Sequence, residues 1–199
     1  MQAPAATIHE IQPPGPNVIR FGMFTFLASE AMLFSGLICG YMVLRGGAGA
    51  GWQMPEALKN AETMIKTIIA TICLISSSFT MHFAESRLIK RAKGGIGLLL
   101  LTIVLGSLFL TNQALEWANL HGEGFWFNTA GIMGSCFFVL TGFHGLHVFI
   151  GVLLLISTLF RALTGHITPQ RHGFLECVGL YWHFVDIVWV FLFSILYIL

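Results

Sequence analysis

Five stretches of this 199-residue chain reach the length of apolar helix that crosses a lipid bilayer, and no other feature constrains its fold as strongly. About 20 mostly apolar residues span the hydrocarbon core. The stretches run over about 21–44, 64–83, 96–117, 129–163 and 178–199. The first is broken only by Glu30, and the second carries Ser76, Ser77 and Ser78 inside it. The fourth is longer than one crossing needs, so it is expected to tilt or to project from the bilayer. None shows the period-two alternation of a barrel strand, and lipid leaves the helix as the other spanning form. The predicted fold class is all-α, a polytopic membrane protein with five transmembrane helices in a bundle.

Composition agrees. Hydrophobic residues make up 56% of the chain and charged residues 10%, against about 25% charged in soluble domains. Mean hydropathy is +0.80. A water-soluble core does not absorb that much apolar matter. Net charge is +1, and the absence of a basic stripe argues against nucleic-acid binding. Cys39, Cys73, Cys136 and Cys177 are isolated, with no CxxC pair. They read as small packing residues and not as a disulfide or zinc framework.

The first twenty residues, MQAPAATIHEIQPPGPNVIR, are polar and Pro-rich. They lack the basic start and apolar run of a secretory signal and read as a flexible cytoplasmic tail, leaving 21–199 as the transmembrane domain. The segment ESRLIKRAKGG, between the second and third spans, carries Arg87, Lys90, Arg91 and Lys93. Arg161 and Arg171 lie between the fourth and fifth spans, whereas ANLHGEGFWFN, between the third and fourth, has no Lys or Arg. Basic loops stay on the cytoplasmic side. The N-terminus is then inside and the C-terminus outside, although the first loop also carries Arg45 and Lys59. Trp52, Trp117 and Trp126 fall near the outer interface, where indoles prefer to sit. The Gly-rich segment GGAGAGWQMPEA (46–57) lacks the Lys-Ser/Thr ending of a phosphate-binding loop and reads as a turn.

Ionisable groups at membrane depth are costly and need a partner or a purpose. Glu30 lies about ten residues into the first span, with no basic residue of that span in reach. It is either a proton-handling carboxyl or a neutral group hydrogen-bonded across a helix interface. His144 and His147, at i and i+3 in the fourth span, supply two ligands at most. Di-iron bundles use Glu-x-x-His twice plus further carboxylates. The favoured reading is polar contact with neighbouring helices, with Gly142 and Gly145 allowing close approach. His183 and Asp186 share one helix side and can neutralise each other within the helix. Glu116 beside Gln113, and His82 beside Glu85, read as interfacial or inter-helix hydrogen bonding. Ser29, Gly36 and Gly40 form a small-residue stripe that ordinarily means close helix packing.

Taken together, YWHFVDIVWVFLF (181–193), TGFHGLHVFIG (141–151), the Ser-Glu of FTFLASEAMLFSGL (24–37) and the Gln-Ala-x-Glu of NQALEW (112–117) resemble subunit III of the haem-copper respiratory oxidases. The likeness covers nearly the whole chain from about residue 20, with the motifs in the family's order. It implies a subunit without haem, copper or catalytic residues, of a complex whose redox and pumping centres sit on subunits I and II. It implies direct packing on subunit I, contact with subunit II and a small subunit IV, support of proton uptake, and phospholipid bound in a cleft between helices. Glu30 matches the family's carbodiimide-reactive membrane carboxyl. His144, His147 and Arg161 match positions on the cleft's helices, Arg161 an arginine associated with lipid headgroups. The resemblance places the chain in a bacterial cell membrane.

The seven-helix mitochondrial form is longer than this chain, whereas five-helix forms occur among bacterial oxidases. Quinol oxidase relatives often carry Asp in place of Glu30 and Phe-Trp-His in place of Tyr181-Trp182-His183. The residues present therefore favour cytochrome c as donor, with a quinol oxidase as the alternative. A transporter using Glu30 as its coupling carboxyl is a further alternative. Five unequal spans without an internal repeat count against it. A stand-alone metalloenzyme on His144 and His147 is the remaining one.

Overall fold

The computed structural model describes residues 16–49, 52, 58, 60–127, 129–170 and 172–198. Five long helices account for most of them: α1 Pro16–Ala48, α2 Ala61–Ile89, α3 Gly95–Gly122, α4 Gly131–Leu163 and α5 Gly173–Phe193. A π-helical turn, Ser194–Ile198, continues α5. All five helices are long and apolar enough to cross a membrane. Large apolar side chains such as Phe21, Ile72, Phe79, Leu108, Phe149, Phe160 and Phe191 face outward. In water that would be a liability; in hydrocarbon it is the required surface.

The helices outrun the apolar stretches because the helical backbone continues into the interface. The polar run His82–Ile89 stays in α2, and α5 begins at Gly173 and not at 178. The stretch read as a tail lies outside the described residues up to position 15, whereas Pro16–Arg20 form the first turns of α1. Proline is favoured at a helix start, where its missing N–H costs nothing. The segment read as a turn at 46–57 is helical through Ala48, and most of its remainder lies outside the described residues. The fourth span starts at Gly131. Thr129 and Ala130 instead close a turn, their N–H groups reaching the Trp126 carbonyl.

Sharp turns follow α2 and α4. Gly94 (φ 90°) and Gly165 (φ 73°) take the left-handed backbone these reversals need. At the other end of α2, Asn60 caps the helix by accepting the Glu62 N–H, and Glu62 pairs with Lys66 one turn on.

Helices α2–α5 form a closed four-helix core: α2 lies on α3, α3 on α4, α4 on α5, and α5 back on α2. Helix α1 stands outside and touches α4 and α5. Its inward residues are Met23, Leu27, Glu30, Phe34, Leu37 and Tyr41, a repeat of three and four that makes a narrow seam. The stripe of Ser29, Gly36 and Gly40 does not pack a helix. A Cβ at either glycine would meet nothing within 4 Å, and both line an open apolar groove of about 260 Å³ against α4.

The centre of the core is Trp182. Its indole lies between α3 and α4, and the backbone glycines Gly106 and Gly151 leave the room it fills. α5 and α2 run antiparallel, and α5 indoles donate to α2 hydroxyls at two levels. Trp189 Nε1 reaches Thr71 Oγ1 at 3.0 Å and Trp182 Nε1 reaches Ser77 Oγ at 2.9 Å. The apolar body of Trp fills the core, and its one polar atom finds a partner that is itself buried.

Candidate functional site: polar seams between the helices

The first seam joins α1 to α4 at mid-depth. His147 Nε2 lies 3.0 Å from Glu30 Oε2, and His147 Nδ1 lies 2.7 Å from the Phe143 carbonyl. A carbonyl only accepts, so Nδ1 carries the hydrogen. The contact to Glu30 then holds a single proton, on the carboxyl or on Nε2. Phe34 meets the imidazole edge-on and Tyr181 stacks on it, its hydroxyl donating to the His147 carbonyl at 3.0 Å. Low-dielectric walls strengthen such a bond and make its loss costly.

The second seam joins α5 to α2. His183 and Asp186 do not pair with each other within the helix. Both reach Ser78: His183 Nδ1 at 3.1 Å, and Asp186 Oδ2 by a hydrogen bond from the same hydroxyl. A serine on the facing helix thus stands between the two groups that the i, i+3 spacing brings to one side. Asp186 is 6% exposed, and its Oδ1 is buried without a hydrogen-bond partner.

The third seam lies at the opposite end of the bundle from the basic turns. Tyr197 OH donates to Glu116 Oε1 at 2.6 Å, and Thr67 Oγ1 stands 3.3 Å from Oε2. Thr67 also donates to the Thr63 carbonyl at 3.0 Å. The one hydroxyl hydrogen of Thr67 serves the Thr63 carbonyl or Glu116 Oε2, not both at once.

His144 makes no hydrogen bond through either ring nitrogen. It is fully buried, stacked on Trp189 and edged by Phe109. His144 and His147 therefore face different neighbours. Among the described residues, no group of three or more His, Cys, Asp or Glu side chains could hold a metal ion. Gly142 makes room for Trp117 and not for the histidines, and Gly145 faces open space. Arg161, at the end of α4, lies with its guanidinium 4.3 Å from the centre of the Phe174 ring. At the same end Arg20 grips Glu176 with two hydrogen bonds, 2.9 and 2.7 Å, tying the start of α1 to the first turn of α5. The carboxylate also favours the positive helix terminus there.

Comparison with known proteins extends the pattern across the chain. A family model described as cytochrome c oxidase subunit III matches residues 10–199. Cytochrome c oxidase subunit 3 of Thermostichus vulcanus is 39% identical over 186 residues, which cover 92% of this chain and 89% of that protein. The chain belongs to the cytochrome c oxidase subunit III family. A probable cytochrome c oxidase subunit 3 of Mycobacterium bovis is 36% identical over 92% of this chain and 88% of its own length. The Gallus gallus cytochrome c oxidase subunit 3 is 36% identical over 90% of this chain and 69% of its own. As a subunit III, the chain is a multi-pass membrane protein and part of a multisubunit oxidase complex.

Within this subunit III, sequence reasoning did not find Ser78, Tyr197 or the Arg20–Glu176 clasp. The serine triplet of α2 was a visible signal: three hydroxyls in a row at membrane depth imply polar partners on a neighbour. Arg20 and Glu176 lie 156 positions apart, and nothing local links them.

Proposed function

We propose that this chain is the accessory subunit III of a proton-pumping cytochrome c oxidase that reduces oxygen to water. In this reading it packs directly on subunit I, contacts subunit II and a small subunit IV, binds phospholipid, and sustains proton uptake and the stability of the complex. It carries no redox centre. Haems and copper belong to the partner subunits. The protein lies in a bacterial cell membrane, with its N-terminus and the basic turns on the cytoplasmic side.

One observation carries the reading: a family match over residues 10–199 on a five-helix bundle with polar seams between its helices. Glu30 pairs with His147, Asp186 and His183 share Ser78, and Glu116 holds Tyr197. Arg161 supports the lipid role, being an exposed guanidinium braced on Phe174 where headgroups would lie. Tyr181-Trp182-His183 and Glu30 support cytochrome c as donor.

The test is affinity purification of the tagged chain in mild detergent, followed by an optical spectrum and turnover with reduced cytochrome c. Co-purifying subunits I and II, haem absorption and cytochrome c oxidation are expected. Turnover with quinol alone would reassign the donor. Isolation of the chain without partners, or with its own stoichiometric iron or copper, would overturn the reading.

A further inference from the structure

An open groove of about 480 Å³ lies at the basic end, between α1 and α2 over α5. Arg20, His82, Glu85, Glu176 and His183 are among its lining groups. Phe24, Ile89 and Leu180 make much of its wall apolar, and the polar side chains set among them give water molecules partners in a space wide enough for several. His183 lies roughly 15 Å along α5 from the helix start at 1.5 Å per residue. The groove therefore carries polar surface from the end of the bundle toward its interior. There His183 Nδ1 meets Ser78 Oγ, and Ser78 meets Asp186.

We propose that His183 and Ser78 form a proton relay from this groove to Asp186, which acts as an internal proton-storage site of the subunit. The hydrogen bonds permit two polarities. In one, His183 Nδ1–H donates to Ser78, and Ser78 donates to an ionised Asp186. In the other, a protonated Asp186 donates to Ser78, and Ser78 donates to a bare Nδ1. Passage between them takes one proton from the groove onto His183 Nε2. The Nδ1 hydrogen moves to Ser78, and the Ser78 hydrogen moves to Asp186 Oδ2. The imidazole ends neutral with its hydrogen on Nε2, and the carboxylate ends as a carboxylic acid. One proton enters and one negative charge disappears, so the step balances.

Three observations converge on this. The relay is continuous, with each member in hydrogen-bond contact with the next. Its outer member lines the open groove, beside His82, Glu85 and Glu176. Its inner member is a buried carboxyl that meets Ser78 through Oδ2 and whose Oδ1 has no hydrogen-bond partner among the described residues, so the relay terminates on an acceptor. The groups around it are accounted for. α2 contributes His82 and Glu85 to the groove, α5 contributes Glu176, and α1 contributes Arg20, already held by Glu176. The titratable groups of α4, His144 and His147, face Trp189 and Glu30. The assignment rests on this chain's own geometry and stands apart from the oxidase reading.

The test uses the intact membrane complex, rapidly mixed into heavy water and followed by infrared spectroscopy. The carboxylic C=O band present in the parent and missing in Asp186→Asn belongs to Asp186, and its downshift reports deuteration. Ser78→Ala should keep that band and slow its deuteration about tenfold or more, the least expected when a positioned proton carrier is removed. Ser78→Thr, which restores a hydroxyl, should recover most of the parent rate. Retention of each variant in the complex is checked on the same sample by gel. Three results would overturn the relay: no band lost in Asp186→Asn, parent-like deuteration in Ser78→Ala, or equally slow exchange in Ser78→Thr. Each is legible whether or not the complex oxidises cytochrome c.

Discussion

The tightest fit in the molecule gives the sharpest test. A Cβ added at Gly106 would lie 2.6 Å from Cη2 and 2.8 Å from Cζ2 of Trp182, where ordinary contact begins at 3.4 Å. The indole cannot retreat. Its opposite edge stands 2.8 Å from where a Cβ on Gly151 would be, and its Nε1 is tied to Ser77. Gly106→Ala therefore overpacks a locked ring, at about 1–3 kcal/mol. Alanine recovers about 0.5–1 kcal/mol through its better helix propensity. With the overpacking cost taken at its middle, about 2 kcal/mol, a net loss of about 1 kcal/mol, roughly a 5-fold change in the folding equilibrium, is expected. Trp182→Phe destabilises by itself, since it leaves a void and removes the Ser77 bond. Combined with Gly106→Ala it should do less harm than the two losses added, because the smaller ring frees the space the methyl needs. The double-mutant cycle should show a favourable coupling of about 0.5 kcal/mol or more. The assay is a graded dodecyl sulfate titration in mixed micelles, read by tryptophan emission. Gly106→Ala as stable as the parent, or strict additivity in the double variant, would refute the packing argument.

Further expectations follow from hydrogen counts. Glu30→Gln can donate its amide to His147 Nε2 and should leave α1 docked while abolishing carbodiimide labelling, read by mass spectrometry. Glu30→Ala strands the imidazole and should weaken α1 docking by about 0.5–2 kcal/mol, read by proteolysis near the start of α1. Glu116→Gln should be neutral or mildly stabilising, since an amide donates to Thr67 and accepts from Tyr197. Glu116→Leu leaves the Tyr197 hydroxyl buried and unpaired, a loss of about 1–3 kcal/mol in the same micelle titration. Arg20→Ala removes the clasp on Glu176 and should speed amide exchange in the first turns of α1 without altering exchange in α3.

What the sequence displays clearly is whatever bilayer thickness dictates. Four apolar stretches of about 20 residues and one of about 35 appear as five helices because lipid permits little else. Ends were less legible: Gly173–Cys177, with Glu176 as its one charge, precedes the stretch read as membrane, yet it is the start of α5, and Glu176 holds Arg20 there. Glu30, His147, His183, Asp186 and Glu116 all stand out as polar groups in apolar runs. Their partners do not, because partner choice depends on which helix faces meet. Spacing places His183 and Asp186 on one side of a helix, and only the facing α2 shows that Ser78 stands between them. The glycines mislead for the same reason. Gly36 and Gly40 carry the helix-packing signature, yet a Cβ on either would meet nothing within 4 Å among the described residues, whereas Gly106 and Gly151 carry no special pattern and make room for the buried Trp182 indole.

That contrast bears on how the bundle is organised. Small residues in a membrane helix let another group come close, and the group decides the meaning. In α3 and α4 it is an indole from α5, fixed by Ser77 on α2, so one tryptophan engages all four core helices. Helix α1 has no such anchor. It is held by Arg20–Glu176 at the basic end, by Glu30–His147 at mid-depth, and by Phe34 on the His147 ring and Tyr41 on the ring of Trp52 farther out. A helix held along one narrow seam should open at lower free energy than the core it leans on. Because α1 also forms one wall of the groove, the clasp and the relay share a boundary. Loosening Arg20 should therefore quicken deuteration of Asp186 through the groove while leaving the Ser78 dependence intact; a relay fed from elsewhere would not respond.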